Sequence, residues 1–331
     1  MRPPKVSALL VAGLVLACVQ VSGADSTSHE DVHPDLACPY QPYELELRPF
    51  CPAPNRPAGV LLPVRINGGR PLRLILDSGA ESLVIGAKVG HSLGLSSDSE
   101  MELVGLGARR ARVGMAASVD VGPVSFRNCR IGLVEGKVIE GADGVVPLGL
   151  FSDFRVRLDL AERTLRLIPY PGGEGTALSS HGAAGERNFL LVGTLLNQKY
   201  RGYVIIDTGA FCSAISREVA GTLSIFPMPR DLRIAGGTGA ATGQLVSGGV
   251  HFEIAGQDLV PDDIVALNLL NLSRHYGVEV IGVLGFPALR PYVLTIDYRN
   301  RMVKIDPKLT ASSRERHQPH RENSRGQLAL R

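Results

Sequence analysis

Tryptophan is absent from the 331 residues, and aromatic residues together make up only 5%. A core built from this chain has to be aliphatic. Cysteine is scarce, at 5 residues, with no CxxC spacing and no neighbouring histidine pair, so nothing points to a zinc site. The 8 histidines are scattered and never form H-E-x-x-H, so neither a catalytic metal nor a cofactor is expected. Gly-x-Ser-x-Gly is also missing, which argues against the nucleophile elbow of an α/β-hydrolase. Charge is nearly balanced, at a formal +3, and the surplus sits at the two chain ends. That leaves no basic face for nucleic acid as a partner.

Long hydrophobic runs are lacking with one exception. Val6–Val19 follows Arg2 and Lys5 and precedes the small residues Ser22-Gly23-Ala24. Residues 1–24 therefore read as a signal peptide, its apolar stretch too short for a comfortable membrane span. A secreted or periplasmic protein is expected, with no stable span once the signal is removed. A buried first helix or an uncleaved anchor is the alternative. A lipid anchor at Cys18 is a further option, weakened by Leu16 in the lipidation box. Export permits disulfides among Cys38, Cys51, Cys129 and Cys212. Cys38 with Cys51, and Cys129 with Cys212, are conceivable pairs, and spacing does not choose between connectivities.

What the chain has in quantity is glycine (38), proline (22) and short Val/Ile/Leu runs, the pattern of an all-β protein. Residues 25–57 read as an irregular Pro-rich leader, with a propeptide role left open. Residues 171–187 read as a Gly/Ser/Ala-rich linker, and 308–331 as a disordered basic tail. Between these lie two segments, 58–170 and 188–307, that repeat each other. With Asp77 laid on Asp207, Leu61-Leu62 falls on Leu191-Val192, Asn67 on Asn197, Leu72–Leu76 on Gly202–Ile206, and Ile85 on Ile215. Farther on, Val146-Pro147-Leu148-Gly149 matches Gly282-Val283-Leu284-Gly285, and Arg157-Leu158-Asp159-Leu160 matches Thr295-Ile296-Asp297-Tyr298. Asn67-Gly68-Gly69 predicts a hairpin turn. Short helices are predicted near 87–94 and 216–222. Two similar β lobes imply a pseudo-two-fold axis with a site between them.

The repeated strand ends in Asp77-Ser78-Gly79-Ala80 and again in Asp207-Thr208-Gly209-Ala210. A carboxylate directly after an apolar strand is costly to bury alone. Two that meet across an axis can share one proton. Ser78 and Thr208 supply hydroxyls that can bond backbone across the axis. Gly79 and Gly209 allow a tight turn that brings backbone N–H groups toward the carboxylates. Gly105, Leu106 and Gly107 in the first repeat, and Gly236, Gly237 and Thr238 in the second, form Gly-rich loops suited to pairing with an extended peptide. Asp159 and Asp297 suit turn chemistry, and Arg109, Arg110 and Arg112 suit a solvated hairpin edge more than recognition of acidic substrate.

At these residues the chain resembles the retropepsin-like aspartic proteases of the pepsin/retropepsin superfamily, in an exported bacterial form with both lobes fused. The resemblance implies two homologous β-barrel lobes and an endopeptidase in which Asp77 and Asp207 activate a water, without a covalent intermediate. It implies a peptide or protein substrate in extended conformation, and a monomer. Leu148-Gly149 and Leu284-Gly285 would be the apolar-Gly elements beneath the active-site loops. The Gly-rich loops would be flaps. Phe211 and Cys212 depart from the family pattern, and neither lobe carries the flap tyrosine of the pepsin branch. The alternative is a catalytically inactive exported protein that binds peptides or other ligands on the same fold. Alanine at positions 80 and 210 removes a hydroxyl that would favour the charged carboxylates, so activity is expected at mildly acidic to near-neutral pH.

Overall fold

The Asn67-Gly68 turn is left-handed at both central positions, with φ of 50° and 69°, and Gly69 N donates to Ile66 O at 2.9 Å. That geometry matches the twist of the strands it joins, Gly59–Ile66 and Leu72–Asp77. The equivalent turn in the second repeat is Asn197-Gln198, with φ of 48° and 55°. It joins Leu191–Leu196 to Tyr200–Ile206. The computed structural model describes residues 41–53, 56–97, 99–170, 189–247 and 249–308, together with short backbone strands at Val11–Ala12, Gln20–Val21 and Pro34–Leu36. The rest of the expected signal peptide, Cys18, Cys38, the linker 171–187 and the tail after 308 lie outside the described residues.

Each repeat forms one curved sheet with the same strand plan. In the first, Leu72–Asp77 pairs in parallel with Gly144–Pro147, which pairs antiparallel with Leu83–Gly86. That strand runs parallel to Val124–Val134, which pairs with Ala108–Val121. In the second, Tyr200–Ile206 pairs with Val280–Leu284, then Ser213–Ser216, then Asp263–Leu267, then Gly239–Ser247, in the same senses. Both sheets close on themselves at corresponding places. Val119 and Asp120 pair with Ile66 and Arg65, and Phe252 and Glu253 pair with Leu196 and Leu195. The sequence duplication is thus a duplication of β-barrel lobes. The predicted helices are Ala87–Ser92 and Arg217–Thr222.

A third sheet joins the lobes. Phe154–Asp159 of the first lobe lies antiparallel to Tyr292–Asp297 of the second, with Arg157 opposite Thr295. These two residues are equivalents in the repeat, so the pseudo-two-fold axis passes between them. Asp159 and Asp297 both accept turn N–H groups, from Glu162 at 2.8 Å and Asn300 at 3.0 Å. Leu158, Leu160, Leu294 and Ile296 bury the inner face of this sheet in a core that spans both lobes.

The leader requires a correction. Tyr43–Glu46 adds an outer strand to the joining sheet, beside Thr164–Pro169, and Arg48–Phe50 pairs with Gly59–Leu61. Tyr43, Leu45, Leu47 and Phe50 are all buried. The packed part of the first lobe therefore begins at Tyr43, not at residue 58. Burial of these four side chains accounts for the difference, since each fills the core from a segment that looks irregular for its prolines.

Candidate active site

The strands Leu72–Asp77 and Tyr200–Ile206 deliver the two DSG/DTG motifs to the junction of the lobes. Asp77 and Asp207 are fully buried, as are Ser78 and Thr208. The motifs cross-link one another symmetrically. Ser78 N donates to Thr208 Oγ1 at 3.1 Å, and Thr208 N donates to Ser78 Oγ at 3.0 Å. Each hydroxyl then donates to a carbonyl of the opposite strand, Ser78 Oγ to Ile206 O at 2.7 Å and Thr208 Oγ1 to Leu76 O at 2.8 Å. Every buried donor and acceptor in this knot has a partner from the other lobe, so the knot rigidifies the pair.

Within each motif the first oxygen of the carboxyl is held by its own loop. Gly79 N donates to Asp77 Oδ1 at 2.8 Å. Gly209 N and Ala210 N both donate to Asp207 Oδ1 at 2.9 Å. The second oxygens, Asp77 Oδ2 and Asp207 Oδ2, are buried and take no hydrogen bond from any described group outside the pair. The two carboxyls lie in hydrogen-bonding reach of each other. Burial, the charge of Asp207 and the hydrogen bond to Asp207 push Asp77 well above the usual carboxylate range. Burial also pushes Asp207 up, against the pull of the hydrogen bonds from Asp77, Gly209 and Ala210. Such a pair titrates as a unit and holds one proton over a wide pH range.

The motif glycines bring their N–H groups to the carboxyls as expected, without a positive φ at either Gly79 or Gly209. They have a second reason as well: each lies against the carboxyl of the opposite lobe. A Cβ on Gly79 would come within 2.7 Å of Asp207 Cγ, and one on Gly209 within 2.4 Å of Asp77 Oδ2. Any side chain there would push the two carboxyls apart. Beneath the loops, Leu148 and Leu284 are fully buried, and Leu284 O accepts Asp207 N at 2.9 Å.

The Gly-rich loops are the tips of two hairpins, Ser99–Val104 with Ala108–Val121 and Asp231–Gly236 with Gly239–Ser247. The tips touch. A Cβ on Gly107 would lie 3.0 Å from Thr238 O and 3.5 Å from Gly239 Cα. Leu106 packs against the core of the second lobe, while Phe211 reaches the other way and packs at a tilt against Phe50 of the first, ring centroids 5.4 Å apart. Thr238 is buried, with 4% exposure, and its hydroxyl has no hydrogen-bond partner among the described residues.

Arg110 and Arg112 sit on the solvated hairpin edge, facing Glu100 at 3.8 Å and Glu135 at 2.9 Å. Arg109 does not. Its guanidinium donates to Gly237 O of the second tip at 3.1 Å, a contact that sequence reasoning missed because no local pattern reveals it. Cys129 and Cys212 are free thiols, which rules out a disulfide between them, and burial pushes both up to about 12. Among the described residues no group of acidic, histidine or cysteine side chains could hold a metal ion, and no helix is long and apolar enough to cross a membrane.

Comparison with known proteins supports the site from one side. Residues 62–150, which carry Asp77, Ser78 and Gly79, match a family model described as aspartyl protease. No curated protein matches the chain. Among solved structures, the aspartic proteinase from Irpex lacteus aligns over 82% of this chain and 100% of its own, with 12% identity and a TM-score of 0.49.

Proposed function

We propose, taking the aspartyl-protease character of the first lobe as the premise, that this chain is an aspartic endopeptidase with Asp77 and Asp207 as its catalytic pair. One observation carries the reading: two buried carboxyls, each seated on the other lobe's motif glycine, and each with one oxygen that takes no hydrogen bond from any described group outside the pair. With one proton on the pair, the protonated carboxyl polarises the scissile carbonyl. The ionised carboxyl takes a proton from a water held between them. The water oxygen bonds to the carbonyl carbon as the C=O π bond breaks and the protonated carboxyl gives its proton to the carbonyl oxygen, so a neutral gem-diol forms and the proton taken from water is left on the other carboxyl. On collapse that carboxyl protonates the amide nitrogen, the C–N bond breaks, and one gem-diol hydroxyl returns its proton to the ionised carboxyl as the product C=O forms, which restores the singly protonated pair. The Ser78–Thr208 knot fixes the two carboxyls against each other through this cycle. The substrate is a peptide in extended conformation, which the flap edges can take as an added strand. One chain supplies both halves of the site, so the working unit is a monomer. Residues 1–24 direct it out of the cytoplasm as a signal peptide.

Cleavage of casein or a peptide library by the parent, Asp77→Asn and Asp207→Asn proteins tests this. Each substitution is expected to lower kcat by roughly 10²–10⁴-fold, the usual worth of a general acid or base. Survival of cleavage within about tenfold in either variant sinks the mechanism. A parent protein that binds peptides without cutting them replaces it with a binding function.

A further inference from the structure

The two flap tips are not equivalent. The first closes through a three-residue loop, Gly105-Leu106-Gly107, between the paired residues Val104 and Ala108. The second closes through Gly237-Thr238 alone, between Gly236 and Gly239. The residue after the closing pair is Arg109 in the first flap and Ala240 in the second. Arg109 therefore has no counterpart.

Its surroundings are unusual for an arginine on a hairpin. Among the described residues its donors meet three main-chain carbonyls and no carboxylate. Nη1 donates to Gly237 O at 3.1 Å and, more weakly, to Lys137 O at 3.4 Å. Nη2 donates to Glu135 O. The planar fork thus ties three pieces of chain together: its own hairpin, the 135–137 loop of its own lobe, and the tip of the opposite flap. Charge-assisted bonds of this kind are stronger than neutral ones. The tip it holds carries Thr238, whose buried hydroxyl has no partner among the described residues. Meanwhile Asp77 and Asp207 are fully buried, so a substrate reaches them only after part of the covering chain moves.

We propose that Arg109 is a one-sided latch. It holds the second flap tip against the first and so sets how readily the cleft opens and how firmly Thr238 is presented to a bound peptide. It is a positioning residue, since it acts through Gly237 and touches neither carboxyl. Only the kinetic consequence rests on the endopeptidase reading; the latch itself is a property of the fold.

Hydrogen-exchange mass spectrometry on the full chain tests it, with Arg109→Ala and Arg109→Lys beside the parent. The expected result is exchange faster by about tenfold at residues 103–109 and 234–241 in Arg109→Ala, the order expected for one lost charge-assisted bond. Exchange in the core strand Leu72–Asp77 should stay at the parent rate. Arg109→Lys should fall between, because an ammonium cannot span carbonyls on separate loops. Unchanged exchange at both tips overturns the latch. Acceleration that extends equally into Leu72–Asp77 also overturns it, since that marks general destabilisation. In the cleavage assay, Arg109→Ala should raise KM by a similar factor while kcat holds or rises; a fall in kcat at constant KM counts against it. If the parent shows no cleavage, the endopeptidase reading fails and exchange alone decides the latch.

Discussion

The two lobes share a strand plan down to the residues that close each barrel, yet they differ wherever they meet something outside themselves. Inside the site the correspondence is nearly complete. Ser78 and Thr208 exchange the same bonds, Gly79 and Gly209 make room for each other's partner carboxyl, and alanine follows in both. At the rim the symmetry fails. Phe211 stands where the first lobe has Glu81, Arg109 where the second has Ala240, and the exposed Phe226 and Met228 where the first lobe's sequence has Ser96 and Asp98. The long strands of the first lobe are interrupted in the second, near Gly249 and at Pro261. Chemistry that needs two carboxyls on one axis constrains the motif equally from both sides. A peptide has direction, so the surfaces that would receive it have no reason to match.

That contrast can be broken most sharply at the glycines. Gly79→Ala and Gly209→Ala should each lower kcat/KM by at least about 100-fold, because a displacement near 1 Å at the reacting groups costs that much. Steady-state kinetics on the two variants should give losses of similar size; a loss confined to one lobe means the site is less symmetric than its geometry. Next in size is Phe211→Ala. Phe211 is buried in the other lobe's core and should cost about 3 kcal/mol by urea denaturation. Leu106→Ala, only partly buried in the reverse direction, should cost less.

The third prediction concerns pH. The carboxyls of the dyad are raised by burial, so the folded state binds protons more tightly than the unfolded chain. Their favourable contribution is complete below the unfolded carboxylate range, near pH 4, and is lost as pH rises through the folded values. Asp77→Asn should therefore gain stability over the parent by about 1–3 kcal/mol near pH 8, with the gain vanishing near pH 3, in melting curves across that range. The same shift places the maximum of kcat/KM in mildly acidic to neutral solution, and a maximum below about pH 3 contradicts it. The smallest effect lies at the twin turns. Gln198 holds a left-handed φ that Gly68 holds without strain, so Gln198→Gly should stabilise by about 0.5–1 kcal/mol in chemical denaturation.

Much of this was legible in the chain because the duplication keeps one register from Leu61 past Ile85, and a gapless repeat carries its motif with it. The all-β class, the two lobes and the turn at Asn67 followed from that register and from glycine placement. The strand Tyr43–Glu46 was hidden by Pro42, Pro49 and Pro52, although Tyr43-Glu44-Leu45-Glu46-Leu47 alternates apolar and acidic residues as a half-buried strand should. That the motif glycines deliver N–H groups to the carboxyls was legible, but the close approach they make across the lobes was not. That approach is to a carboxyl 130 residues away and exists only once the lobes are closed. Arg109 was hidden in the same way, since its partner Gly237 belongs to the other repeat.

The facing of Arg157 and Thr295 across the joining sheet has a consequence for how the molecule is made. Equivalent strands meet there in the manner of two subunits, and the peptide link between repeats raises their effective concentration without defining the interface. Residues 41–170 and 189–308 produced as separate polypeptides should therefore find each other, with activity that rises as the square of their concentration when dilute and levels off once assembly is complete.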